Sequence, residues 1–308
     1  MPEAIRVCHS THGAANAIMA LGVASGQFAE FGLDVIMQEV PRTGDAMKRL
    51  VAGTTEFAVV GAVPVINAAR AGDDPVIVMS IEAENVFAII GASTIGSAAD
   101  LRGRTIAISG RHEQDEIMIR RALVEWGIDP DADVTLEVFG SRVGCWEAIV
   151  SGEAAAMSAT IPQPILARAH GLPVLKDFTE LHEPYQAGSV VAKRAYAGAE
   201  PGIVRRFLAG QLRAVRLFQS DFEAALPYLR ARSKLDDIEV LRETHRLFAL
   251  AAEDYVPNPA AAATVIRNLA EAVGEPVAVD PDQIVDPTFA MALEGRPAYP
   301  SVPRVPGA

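Results

Sequence analysis

Thr105-Ile106-Ala107-Ile108-Ser109-Gly110-Arg111-His112-Glu113 decides the architecture. Four residues of strand character end in a Ser-Gly turn, a helical pattern runs from Glu113 to Glu125, and Val134-Thr135-Leu136-Glu137-Val138-Phe139 resumes the strand pattern. Strand, loop, helix and strand make a βαβ unit, which requires parallel pairing. The N-terminus repeats the arrangement. Ile5 to Val7 leads through His9-Ser10-Thr11-His12 into an apolar helix over 14–31, and Leu33-Asp34-Val35-Ile36-Met37 follows the stop at Gly32. In open α/β sheets, ligands settle beyond the carboxyl ends of the strands, where loops and helix N-termini converge. Two such edges facing each other would form a cleft.

Working outward, Pro41-Arg42-Thr43-Gly44 links a strand near Val35 to a helix over 45–51, and Glu56 to Val60 reads as a buried parallel strand. Pro64 suits the first turn of the next helix, where a missing amide costs nothing. Strands are predicted at 76–81 and 86–90. The pattern then restarts, adding a helix over 143–150, a strand at 155–159 and a helix over 162–170. Tyr185 to Ala192 reads as a strand returning to the first unit, and helical segments cover 200–295. The expected organisation is an α/β protein of two lobes, each a mainly parallel sheet flanked by helices. Residues 1–88 and 190–295, with the C-terminal helices, form lobe 1, and 89–189 form lobe 2. The Pro-rich segment 296–308 is a tail.

The chain has 308 residues, half of them hydrophobic, enough for two cores. Its net charge of −12 comes without a basic stripe, so no nucleic acid partner is expected. No apolar run is long enough to span a membrane. Met1-Pro2-Glu3 passes almost directly into strand, without the features of a secretion signal. That implies a cytoplasmic location if Met1 is the native start, and a periplasmic or extracellular one if the chain is a trimmed mature form. Cys8 and Cys145 are too few for a disulfide framework and lack metal spacing, and no cofactor or metal is expected. Phosphate-binding glycine motifs, GxSxG and HExxH are all missing.

Gly26-Gln27-Phe28-Ala29-Glu30-Phe31-Gly32-Leu33-Asp34-Val35, Leu50 to Ala58, Asp100-Leu101-Arg102-Gly103-Arg104-Thr105-Ile106-Ala107 and Ala148 to Ala155 occur in an order that resembles one family over residues 5 to 220. It comprises substrate-binding components of sulfonate, taurine and nitrate transporters together with thiamine-pyrimidine synthases. The resemblance implies the type II periplasmic-binding-protein fold, with lobes that close by a hinge on a solute. It also implies a small organic anion or zwitterion as ligand and an ABC permease as partner. Cytosolic enzymes share the fold, among them a sulfinate desulfinase, so fold alone leaves chemistry open.

His9, Ser10, Thr11 and His12 are expected at the first cleft loop, as ligand contacts or as an ordinary capped turn. Ser109, Gly110, Arg111 and His112 form the corresponding loop of lobe 2, where backbone amides and a permanent cation suit an anion. The alternative reading is that the acidic residues Glu113, Asp115 and Glu116 serve that helix start themselves. Arg42 and Thr43 match the family's second cleft loop. Gly61 and Ala62 end a strand, Glu82 and Asn85 follow another, and Ser141, Thr160, Gln163 and Gln186 complete the polar candidates. In the enzyme alternative, a decarboxylase, desulfinase or other lyase, His12 and His112 move the proton. The desulfinase's loop cysteine corresponds to His12, so Cys8 reads as a buried strand residue, and Cys145, Trp146, Tyr185 and Phe139 as packing.

Overall fold

The computed structural model describes residues 2–10, 14–233, 235–251 and 254–293. Among the described residues ten strands follow the chain: β1 (Glu3–Ser10), β2 (Leu33–Val40), β3 (Phe57–Val60), β4 (Pro75–Glu84), β5 (Phe87–Gly91), β6 (Thr105–Ile108), β7 (Thr135–Val138), β8 (Ala156–Thr160), β9 (Val174–Asp177) and β10 (Pro184–Lys193). They form two five-stranded sheets, ordered β2-β1-β3-β10-β4 and β7-β6-β8-β5-β9. In the first, β1 runs parallel to β2 and β3, and β10 runs antiparallel between β3 and β4. The second repeats this, with β6 parallel to β7 and β8, and β5 antiparallel to β8 and β9. This is the two-lobed α/β architecture that the paired βαβ units imply. All four residues of β3 are buried, as a strand covered on both faces demands.

The lobe boundaries fall earlier than the expected 88/89 and 189/190. The chain crosses to the second sheet between Glu84 and Phe87 and returns between Asp177 and Pro184. Residues 184–189, expected in lobe 2, instead open β10, because Pro184 already pairs with Glu84 and a register shift carries the strand on to Gly188 opposite Glu82. The C-terminal helices also do more than enlarge lobe 1. Helix Pro259–Val273 packs against β10 and helix Ala62–Arg70 on one side, and against helix Gln114–Glu125 of lobe 2 on the other. The tail 296–308 lies outside the described residues.

Lobe 1 owes its rigidity to an apolar seam. Phe207, from helix Pro201–Ser220, stacks on Phe57 with centroids 4.1 Å apart and on Phe28 at 5.2 Å. The helix buries Ile203, Val204, Phe207, Leu208, Ala214, Val215 and Phe218, a spacing of three and four that puts one face on the core. Gly22 is where the first helix, Ala14–Ala24, meets it, since a Cβ there would stand 2.5 Å from that of Ala214. The sequence reads Gly22 as an interruption of the helix; the structure shows it as a close approach between helices.

Candidate functional site

The loops that follow β1, β2 and β3 face those that follow β6 and β7, and between them lies a cleft of about 90 Å3. From lobe 1 it is lined by Ser10, Arg42, Thr43, Gly61 and Glu82, and from lobe 2 by Ser109, Ser141 and Thr160. These eight expected positions are brought together. The lobes also touch directly: Thr43 Oγ1 donates to Glu113 Oε2 at 2.9 Å. Beside that bond Gly61 approaches Gln114 so closely that a Cβ would lie 2.4 Å from Gln114 Oε1. Glycine permits the contact.

Six expected contacts do not line this cleft. His9 is 1% exposed, with Nδ1 2.9 Å from the carbonyl oxygen of Ser10. Ala62 is packed in the core, and Gln186 is wholly buried, donating through Nε2 to Ser80 Oγ at 2.7 Å and Ser189 Oγ at 2.9 Å. Gly110 is buried at the turn. Arg111 donates to Glu116 at 3.1 Å and to the Leu136 carbonyl at 2.7 Å, and both it and His112 line a separate groove beside Met47 and Lys48. Thr11 and His12 lie outside the described residues. Asn85 and Gln163 also stand away from the cleft; Asn85 bonds Glu183 and the Phe87 amide and so fixes the crossover.

Over Ser109 to His112, where an anion site is expected, the chain's own carboxylates occupy two of the backbone donors. Asp115 Oδ2 accepts the Ser109 amide at 2.6 Å, and Glu116 Oε2 accepts that of His112 at 2.5 Å. A helix start binds an external anion only when its amides are left open.

Arg142, which sequence reasoning missed, places a guanidinium in the cleft. Ser141 caps helix Arg142–Ser151 by accepting the Gly144 amide at 3.1 Å, which places Arg142 in the cleft wall. Its Nη1 donates to Thr160 Oγ1 at 2.7 Å, and its guanidinium lies 5.4 Å from the centre of the Phe87 ring. The available signal was an arginine directly after a capping serine at the end of a strand. Arg42, by contrast, directs Nε and Nη2 to Asp45 at 3.2 and 3.3 Å.

Burial governs the acids. Desolvation raises the Glu113 carboxyl above the ordinary range, opposed by the Thr43 hydrogen bond and by the Arg42 and Arg142 charges. Asp115 is also raised by burial, against Arg142 and the bond from Ser109. Neither cysteine is set up as a nucleophile: burial raises Cys8, and burial with the Asp115 charge pushes Cys145 up to about 12. Among the described residues no group of three His, Cys, Asp or Glu could hold a metal ion, and no helix is long and apolar enough to cross a membrane.

Two facing α/β lobes with a polar cleft at their loop ends are the periplasmic-binding-protein fold. Its solved members include the aliphatic sulphonate-binding protein SsuA of Escherichia coli, 24% identical with a TM-score of 0.73, covering 98% of this chain and 97% of that one. SsuA of Xanthomonas axonopodis, described bound to MOPS, is 19% identical with a TM-score of 0.74, covering 92% and 98%. The nitrate-binding protein NrtA of Synechocystis PCC 6803 is 11% identical with a TM-score of 0.77, covering 95% and 88%. No curated protein sequence matches the chain. The chain belongs to the NMT1/THI5-like family, whose profile matches residues 15–225.

Proposed function

We propose that the protein is a solute-binding component that closes its lobes over a small organic anion or zwitterion and presents the closed form to an ABC permease. The observation that carries this reading is Arg142, held by Thr160 in the cleft wall beside the capped Ser141, where it faces the Arg42-Thr43 loop of the other lobe. A guanidinium fixed by one neutral hydroxyl retains N–H groups for an oxyanion, and a solute touching both lobes stabilises the closed form by its differential affinity. The sulfonate- and nitrate-binding proteins that share the fold support the reading. Delivery to a permease outside the cytoplasm goes with it. Of the two histidines the lyase alternative relies on, His112 lines the separate groove and not the cleft, and His12 lies outside the described residues.

A thermal-shift screen of carboxylates, sulfonates and amino acids, followed by titration calorimetry on hits, tests the proposal. A charge-assisted hydrogen bond contributes about 1.5–3 kcal/mol, so Arg142→Ala should weaken binding by roughly 10- to 150-fold. If no compound in the panel stabilises the protein, the reading fails.

A further inference from the structure

One hydrogen bond does not fix a long side chain: about its contact with Thr160 the Arg142 guanidinium can still turn its plane. What sets that plane lies beneath it. The guanidinium carbon is 5.4 Å from the centre of the Phe87 ring, inside the range of cation–π attraction. Phe87 lines the cleft and is 2% exposed, so packing holds its ring still. Tyr185, wholly buried, stands edge-on to it, with centroids 6.4 Å apart and planes at 68°. The Tyr185 hydroxyl reaches the side chains of Gln114 and Asn268, which steady the second ring in turn. The two rings come from the two crossovers between the lobes. Asn85, in the first, donates to Glu183 Oε1, in the second, at 2.9 Å and accepts the Phe87 amide at 3.2 Å. Phe87 and Tyr185 each follow one member of that pair by two residues, the spacing that returns an extended chain to the same face. Phe87 opens β5 of lobe 2 and Tyr185 is the second residue of β10 in lobe 1, so the ring pair spans the hinge.

We propose that Phe87 and Tyr185 are positioning residues for the solute. Phe87 holds the Arg142 guanidinium in the plane that presents its remaining N–H groups to the cleft, and Tyr185, from the other lobe, holds Phe87. The cation that receives the solute is thereby aligned through a contact made across the hinge. Packing, the role expected of Tyr185 from its sequence, is only part of what the ring does. The inference rests on the solute-binding reading above and adds the residues that make its arginine directional.

Titration calorimetry on the full chain, with ethanesulfonate, propanoate and glycine as probes, tests this; the fitted stoichiometry reports the folded fraction, so a poorly folded variant is not read as a weak binder. Phe87→Leu stays apolar but removes the ring face, and should weaken the tightest probe by about 3- to 10-fold. Tyr185→Leu should weaken it by about 2- to 5-fold, whereas Tyr185→Phe, which keeps the ring, should change it by less than about 1.5-fold. In the Arg142→Ala background Phe87→Leu should also change affinity by less than about 1.5-fold, because the ring then has no guanidinium to align. A second readout needs no solute: the Nε–H resonance of Arg142, assigned by its disappearance in Arg142→Ala, should lose its ring-current shift in Phe87→Leu. Equal losses from Phe87→Leu with and without Arg142 overturn the inference while solute binding stands, and so does an Arg142 resonance indifferent to Phe87→Leu. A loss in Tyr185→Phe as large as that in Tyr185→Leu belongs to the hydroxyl and overturns the role of the second ring. Should none of the three probes bind, the solute-binding reading falls and takes the inference with it.

Discussion

Removing one hydroxyl, in Thr43→Val, should loosen the closed form without unfolding either lobe. Valine keeps the shape of threonine, so helix Thr43–Val51 loses little packing, whereas Glu113 Oε2 loses its donor from the opposite lobe. A hydrogen bond to a charged group is worth about 1.5–3 kcal/mol, and water can replace part of it at two half-buried residues, which leaves about 1–2 kcal/mol. That is roughly a 5- to 30-fold shift from closed toward open. The bond exists only while the lobes touch, so apparent affinity for a closure-dependent solute falls by up to the same factor, and by all of it where the open form predominates. Small-angle scattering of the unliganded protein should show a larger radius of gyration, and calorimetry the weaker binding. Combining Thr43→Val with Glu113→Gln in a double-mutant cycle should return a coupling of about 1 kcal/mol. Unchanged scattering together with affinity within about 1.5-fold would refute the claim that this bond holds the lobes shut.

Three further outcomes follow from the same geometry. Closure raises the Glu113 carboxyl by burial, so the closed form binds that proton more tightly; closure is favoured at low pH and weakens as pH rises through the closed-state value. Unliganded scattering should therefore expand as pH is raised above about 4.5, the ordinary value for the group, and Glu113→Gln should flatten whatever part Asp115 does not carry. A compact form that persists unchanged as pH rises would contradict the assignment. Arg111→Ala should leave solute affinity within about twofold, because Arg111 serves Glu116 and the Leu136 carbonyl outside the cleft; a loss comparable to that of Arg142→Ala would put the anion site back on the first loop of lobe 2. Gly22→Ala would set a Cβ 2.5 Å from that of Ala214, force the two helices apart and cost about 1–3 kcal/mol, seen as a fall of a few degrees in Tm with solute affinity retained; unaltered Tm would show that the helices separate freely.

The sequence by itself determined the architecture, because strand and helix periodicity and the glycine stops are local signals. Thr105 to Ile108 is strand, Glu113 stands at the start of a helix that ends at Glu125, and the N-terminal copy repeats the scheme, so parallel pairing and ligand loops at one sheet edge follow. Short β9 escaped notice, since Val174-Leu175-Lys176-Asp177 has too few residues to show a period and gains its strand form by pairing with β5. Which polar groups remain available to a solute was a tertiary decision. Asp115 and Glu116 fold back on the amides of Ser109 and His112, Asp45 takes the fork of Arg42, and the cap at Ser141 delivers Arg142. Donors and charges can be counted along a chain. Their mutual neutralisation depends on distances of a few ångströms between side chains, and only the folded backbone sets those.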